Sequence, residues 1–256
     1  MKQLSLLLIA AMVAFAACSK SENPPQESLY TKVLGKWSLN GVSLQTQSNG
    51  KKADAKDGFI EFLSDSTFYI YDAGGQFFTG KFSIQDGASI SLENFATIRS
   101  LTFSNTALNF ILMYNGKEIT IAATKAPTIA LTDSTTLICK NWHLTREGTG
   151  GQLYEAARGL FDAEGNPIGS FVPDSVTFRF TTSGTYLVQM FKEKQLKSVD
   201  VFNWKWHSSL ANHYVCWDNS LEFDEEKDKV EVLELNKNAF RSSQSPSTWG
   251  FVPAEK

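Results

Sequence analysis

Histidine and cysteine, which carry most metal and nucleophilic chemistry, are scarce in this chain, with three of each in 256 residues. His207, His213 and Cys216 fall close together, but strand alternation over 213–217 would turn His213 and Cys216 to opposite faces, so no metal site is expected. His143 stands beside Trp142 with no serine or cysteine nucleophile in its context. No serine sits in a Gly-x-Ser-x-Gly elbow, and no glycine-rich loop precedes a helix that could hold phosphate. The acidic stretch Asp224, Glu225, Glu226 and Asp228 lacks the alternating ligands and central glycine of a calcium loop; with Lys227 and Lys229 interleaved it reads as a solvated turn. A formal charge of −3 offers no basic footprint, which excludes nucleic acid as a partner. No catalytic constellation, metal or cofactor is therefore expected, although a pair of carboxylates assembled in space, as in a hydrolase, would leave no trace in spacing.

Long apolar runs are lacking too. Residues 4–17 form the apolar core of an N-terminal segment, shorter than the about 20 residues a spanning helix needs. Lys2 precedes this run, Ala16 and Ala17 put small side chains at its end, and Cys18 follows, leading into a polar, proline-containing stretch through Pro24 and Pro25. The segment resembles a bacterial lipoprotein signal. That resemblance implies cleavage after residue 17, acylation of Cys18, and a tether over 18–28 that anchors the protein to a membrane without spanning it. Ser19 does not resemble the aspartate-type signal for inner-membrane retention, which favours the outer membrane.

The rest reads as β structure. Helical periodicity is almost confined to a turn over 27–33, and short alternating runs follow at 37–42, 59–63, 67–71, 77–84, 88–92, 98–103, 108–114 and 118–123. Asn115-Gly116 between the last two suits a tight hairpin turn. After Pro127 a connector leads to a second series at 137–145, 175–180, 185–191, 199–207, 213–217, 221–223, 230–235 and 248–252. Each half opens with lysine followed by tryptophan, as Gly35-Lys36-Trp37 and Lys140-Asn141-Trp142, and the chain is read as a duplication. Antiparallel strands of this number can close on themselves and remove their sticky edges. The fold expected is all-β, with two tandem up-and-down barrels over 29–126 and 136–256.

The Gly35-Lys36-Trp37 pattern on a first strand, followed by a meander, resembles the lipocalin family. The resemblance implies a structural Trp37 at the closed end of the first barrel and a corresponding Trp142 in the second. It departs from the family where Lys140 replaces glycine, and Arg241 is the candidate basic residue to cap a tryptophan.

Aromatic residues give the candidate binding site. On 199–207, Phe202, Trp204 and Trp206 share one face of the strand. The stripe is core in a filled barrel, the wall of an apolar ligand cavity in an open one, and a platform for sugar rings if it faces outward. Trp217 and Trp249 are weaker candidates of the same kind. The long insertion over 149–170 contains Tyr154 and a helix-like stretch over 153–161 that would line or close one barrel end. Strand 108–113 is apolar on both faces, which would pack it against the other barrel. Cys139 and Cys216 are either a disulfide or two buried thiols. The expected function is non-catalytic: a lipid-anchored envelope protein that binds a small apolar ligand or a protein partner, with glycan binding as the alternative.

Overall fold

A computed structural model describes residues 28–40, 44, 58–161, 166–218 and 223–254; Cys18, the signal and most of the tether lie outside the described residues. Residues 33–256 form one compact unit. Ahead of them, the first turn of α1 (Leu29–Val33) is capped by Ser28, whose Oγ accepts the Thr31 N–H at 3.2 Å.

Eight sequential antiparallel strands close the first barrel: β1 (Gly35–Ser38), β2 (Phe59–Phe62), β3 (Thr67–Tyr71), β4 (Phe77–Gln85), β5 (Ser89–Leu92), β6 (Ala96–Phe103), β7 (Ala107–Tyr114) and β8 (Lys117–Lys125). Closure is made by β1 against β8, with Trp37 opposite Lys125. Inward positions are filled by large apolar side chains, among them Trp37, Ile60, Phe62, Phe68, Ile70 and Phe110, each at most 2% exposed. These side chains form the core of the first barrel.

The second barrel follows the same plan with one insertion. Thr132 caps α2 (Asp133–Ile138) by accepting the Thr135 N–H at 3.1 Å. The barrel then runs from β9 (Asn141–Gly148) through β12 (Ser175–Phe180), β13 (Thr185–Lys192), β14 (Gln195–Trp206), β15 (His213–Trp217), β16 (Lys229–Leu235), β17 (Phe240–Gln244) and β18 (Ser247–Pro253), which closes on β9. Between β9 and β12 lie a 3₁₀ turn (Thr149–Tyr154) and a separate two-stranded ribbon of β10 (Arg158–Phe161) and β11 (Pro167–Phe171).

The two tryptophans that open the halves play the same part. Trp37 Nε1 donates to the Val33 carbonyl at 2.8 Å, and Trp142 Nε1 donates to the Ile138 carbonyl at 3.0 Å. Both are fully enclosed, and a lysine ammonium lies over each ring, Lys125 at 5.1 Å and Lys140 at 4.1 Å. Lys140 thus supplies the cation over Trp142, and Arg241, the residue the sequence offers as a cap, is an exposed residue of β17.

The barrels meet along β2 and β3 of the first and β13 and β14 of the second. Phe59, Tyr69 and Leu187 form a buried cluster there, joined by Tyr71, Val199 and Val201. Strand 108–113 is not the contact, as its sequence suggested: Leu108, Phe110 and Leu112 point into the first barrel, while Ile111 and Met113 remain partly exposed. The real contact strands show the two-sided burial instead, since all four residues of β2 and the first four of β13 are buried.

Other boundaries differ for physical reasons. Residues 137–138 end α2 and do not begin a strand, because the Thr132 cap sets a helix there. The insertion holds no helix over 153–161. Gly148 turns the chain at φ +62, and Gly150 and Gly151 let the 3₁₀ turn lie directly on Leu144, Thr145 and Arg146. Phe223 is not in a strand, and 219–222 lie outside the described residues. Strand β17 carries no alternating apolar signal, because two of its inward positions, Ser242 and Gln244, are polar.

Candidate functional site

The second barrel is open at one end. A cavity of about 490 Å³ runs from its mouth into the interior. Strand alternation decides which residues reach it. Phe178 of β12, Tyr186 and Val188 of β13, Phe202 of β14, Tyr214 of β15 and Phe251 of β18 form the apolar wall. These rings are packed edge to face or tilted, with Phe178 and Phe251 at 4.8 Å and Tyr186 and Phe202 at 5.6 Å, which holds the wall in one shape.

Polar groups occupy two levels. Deep in the barrel are Cys216 and Ser242. Ser242 faces the Tyr214 hydroxyl, and its Oγ is fully buried with no hydrogen bond of good geometry. Burial pushes the Cys216 thiol up to about 12, with Asp228 adding to the effect, and raises the Tyr186 and Tyr214 hydroxyls well above their ordinary range. At the mouth stand Asp200, Asp218, Asp228 and Arg158. Burial raises the Asp200 carboxyl, the Arg158 guanidinium at 3.9 Å opposes that shift, and Asp218 reinforces it.

Of the residues singled out from sequence, Phe202 lines the cavity. Trp204 lies beneath it in the core, 1% exposed, with its Nε1 donating to the Thr181 carbonyl at 2.9 Å and its ring perpendicular to Phe180. Trp206 lies lower still and donates to Thr135 Oγ1 at 2.8 Å, tying β14 to α2. The stripe therefore faces inward. Tyr154 is enclosed, donating to the Leu144 carbonyl at 2.6 Å beneath the Arg146 guanidinium, and its neighbours Gln152 and Leu153 reach the cavity in its place. Trp217 and Trp249 sit at the mouth. Ser242, Gln244, Arg158 and the three aspartates were not foreseen. The signal available was an aspartate in register with Phe202, Trp204 and Trp206, since residues two apart share a strand face.

Cys139 and Cys216 are free thiols, Cys139 capping the end of α2 and Cys216 lying in the cavity wall. His213 Nδ1 donates to the Ala211 carbonyl at 2.8 Å, and His207 Nδ1 accepts the N–H groups of Ser209 and Leu210. Both rings are thus engaged in the β14–β15 turn. A second concavity, about 520 Å³, lies at the opposite end of this barrel between that turn, the start of α2 and the exposed Leu233.

No family model matches the chain, and no curated protein matches it. Among solved structures it is similar to a DUF3598-family protein of unknown function from Nostoc punctiforme, at 11% identity over 87% of this chain and 96% of the other, with a TM-score of 0.21.

Proposed function

We propose that this protein is a non-catalytic, lipid-anchored envelope protein whose second barrel binds a small apolar ligand, with both barrels of lipocalin-like type. The cavity carries the reading: its volume, about 490 Å³, falls among those of small-molecule sites, its walls are aromatic, and its few polar groups converge at two levels. Support for the anchor is the sequence around Cys18, which suits acylation and an outer-membrane address. The first barrel would then be an accessory unit that holds the binding barrel and offers a surface to an envelope partner.

Ligand binding is tested on a chain of residues 28–256, which keeps every described residue, the compact unit 33–256 included. The neutral dye N-phenyl-1-naphthylamine should brighten on saturable binding of one molecule per chain. Val188→Trp, which fills the cavity, should abolish the signal while circular dichroism stays unchanged. Quenching of Trp217 and Trp249 by oligosaccharides, with no dye binding, would replace this reading with glycan recognition. The anchor is tested separately by metabolic labelling with palmitate, which Cys18→Ala should abolish.

A further inference from the structure

The carboxylates at the mouth of the second barrel are arranged by the strands that carry them. In β14 the inward face that presents Phe202, Trp204 and Trp206 continues two residues back to Asp200, which lies opposite the inward Val188. In β15 the inward positions Tyr214 and Cys216 lead on to Asp218, just past the strand end. Asp228 precedes β16 and stands two residues from the inward Val230. These three strands are consecutive neighbours in the barrel. Alternation thus places one aspartate from each of three adjoining strands in a single layer, above an apolar wall.

The charge of this layer is one-sided. Of the described side chains lining the cavity, three are carboxylates and one, Arg158, is cationic, and Asp228 Oδ2 also accepts the Asp224 N–H at 3.0 Å. Arg158 reaches Asp200 at 3.9 Å, beyond hydrogen-bonding distance, and comes from the ribbon outside the barrel. The opposite side of the mouth, formed by Gln152, Gln244, Ser247 and Thr149, is neutral. Placing carboxylates over a low-dielectric cavity strengthens their attraction for a cation entering it. Below them, the faces of Tyr186, Phe202 and Phe251 would welcome the same cation or the apolar body attached to it. Deeper still, the buried Ser242 Oγ lacks a good hydrogen bond, so a polar atom at the inner end of a ligand would relieve a group that is costly to leave unpaired.

We infer that the ligand of the second barrel is a cationic amphiphile, an organic amine whose apolar body enters the aromatic cavity while its ammonium rests among Asp200, Asp218 and Asp228. This rests on the reading of the barrel as a binding site and adds the chemical class of what it binds. An anionic amphiphile such as a fatty acid would meet three carboxylates at the entrance and is disfavoured.

The test uses three probes that share one ring system: 1-naphthylmethylamine, 1-naphthalenemethanol and 1-naphthoate, each competing against N-phenyl-1-naphthylamine on residues 28–256 at low ionic strength and pH 7. The amine should bind at least about tenfold tighter than the carboxylate, a difference of about 1.4 kcal/mol, with the alcohol between them. Added salt should narrow the gap. Asp200→Asn, Asp218→Asn and Asp228→Asn combined should bring amine and alcohol within about threefold of each other while leaving the alcohol unchanged, a readout that a loss of folding would not give. Equal binding of all three, or tighter binding of the carboxylate, overturns the charge inference and leaves the cavity reading standing. Binding of none, the dye included, overturns both.

Discussion

Lys36 and Glu61 stand opposite each other across β1 and β2, and their outward-facing side chains lie where the first barrel meets the second. Lys36 Nζ donates to Asn203 Oδ1 of β14 at 2.9 Å and lies 4.2 Å above the Phe59 ring. Glu61 is fully buried, and neither carboxylate oxygen has a hydrogen bond. Nearby, Arg179 of β12 binds Asp65 of the first barrel at 2.8 Å. The seam is thus apolar at its centre and pinned by polar contacts from both sides.

Two buried charges that face each other are costly to desolvate, and removing only one leaves the other uncompensated. Glu61→Met and Lys36→Met, each of which leaves one buried charge without its partner, should therefore each cost about 3 kcal/mol in urea unfolding. The double variant should lie near the parent. Additive single effects would show that the two charges do not interact.

Burial lowers the Lys36 ammonium from its ordinary 10.5 to about 8, with Glu61 opposing the shift. Between these values the unfolded chain holds more protons than the folded one, so stability from this group rises with pH. The penalty is complete below about pH 8 and is relieved above it. Measured from pH 7 to 9.5, the stability difference between parent and Lys36→Met should shift in the parent's favour, and a flat difference would count against a buried ammonium.

Trp37 and Trp142 each hold a carbonyl four residues back. Replacing Trp37 by Phe removes that donor and strands a buried acceptor, at a cost of about 1–3 kcal/mol, whereas Trp142→Phe should cost less, because the Ile138 carbonyl keeps the Lys140 N–H at 2.8 Å. Because the seam joins the barrels, calorimetry should show a single transition that both variants move down together; two separate transitions would mean that the barrels unfold independently.

Burial pushes the Cys139 and Cys216 thiols up to about 12. At pH 8 roughly one thiol in ten thousand would then be ionised, so both should react with iodoacetamide far more slowly than free cysteine until the chain is denatured. Both should be alkylated without prior reduction, and a mass gain of two protons on reduction would reveal a bridge instead.

Gly148 adopts φ +62, and an added Cβ would lie 2.7 Å from Thr248 Oγ1 and 2.9 Å from the Thr248 carbonyl oxygen. Gly148→Ala should cost about 1–2 kcal/mol. It should also loosen the turn carrying Gln152 and Leu153, seen as faster amide exchange over 149–154 than in the parent.

The barrels were legible because inward positions in most strands are apolar and outward ones polar; Val176, Phe178 and Phe180 in β12, or Ile90 and Leu92 in β5, mark their face. The same rule hid the site. Where Asp200, Ser242 and Gln244 face inward, the alternation that announces a strand is broken by the residues that would meet a ligand. Partner choice between barrels was obscured for a related reason. Burial on both faces makes β2 resemble any continuous apolar run, and Glu61 in its middle reads as a solvent-facing residue although it is fully enclosed. Trp204 and Trp206 carried the aromatic signal, but indole N–H groups held by Thr181 and Thr135 make them struts of the closed end.

Strands β13 and β14 have two duties at once. Tyr186, Val188, Asp200 and Phe202 look into the cavity, while the alternate residues Leu187, Val199 and Val201 press on Phe59 and Tyr69 of the other barrel. The wall that would feel a guest is a party wall. Any guest that bowed it outward would have to push against packed side chains, so the first barrel braces from behind the wall of the second.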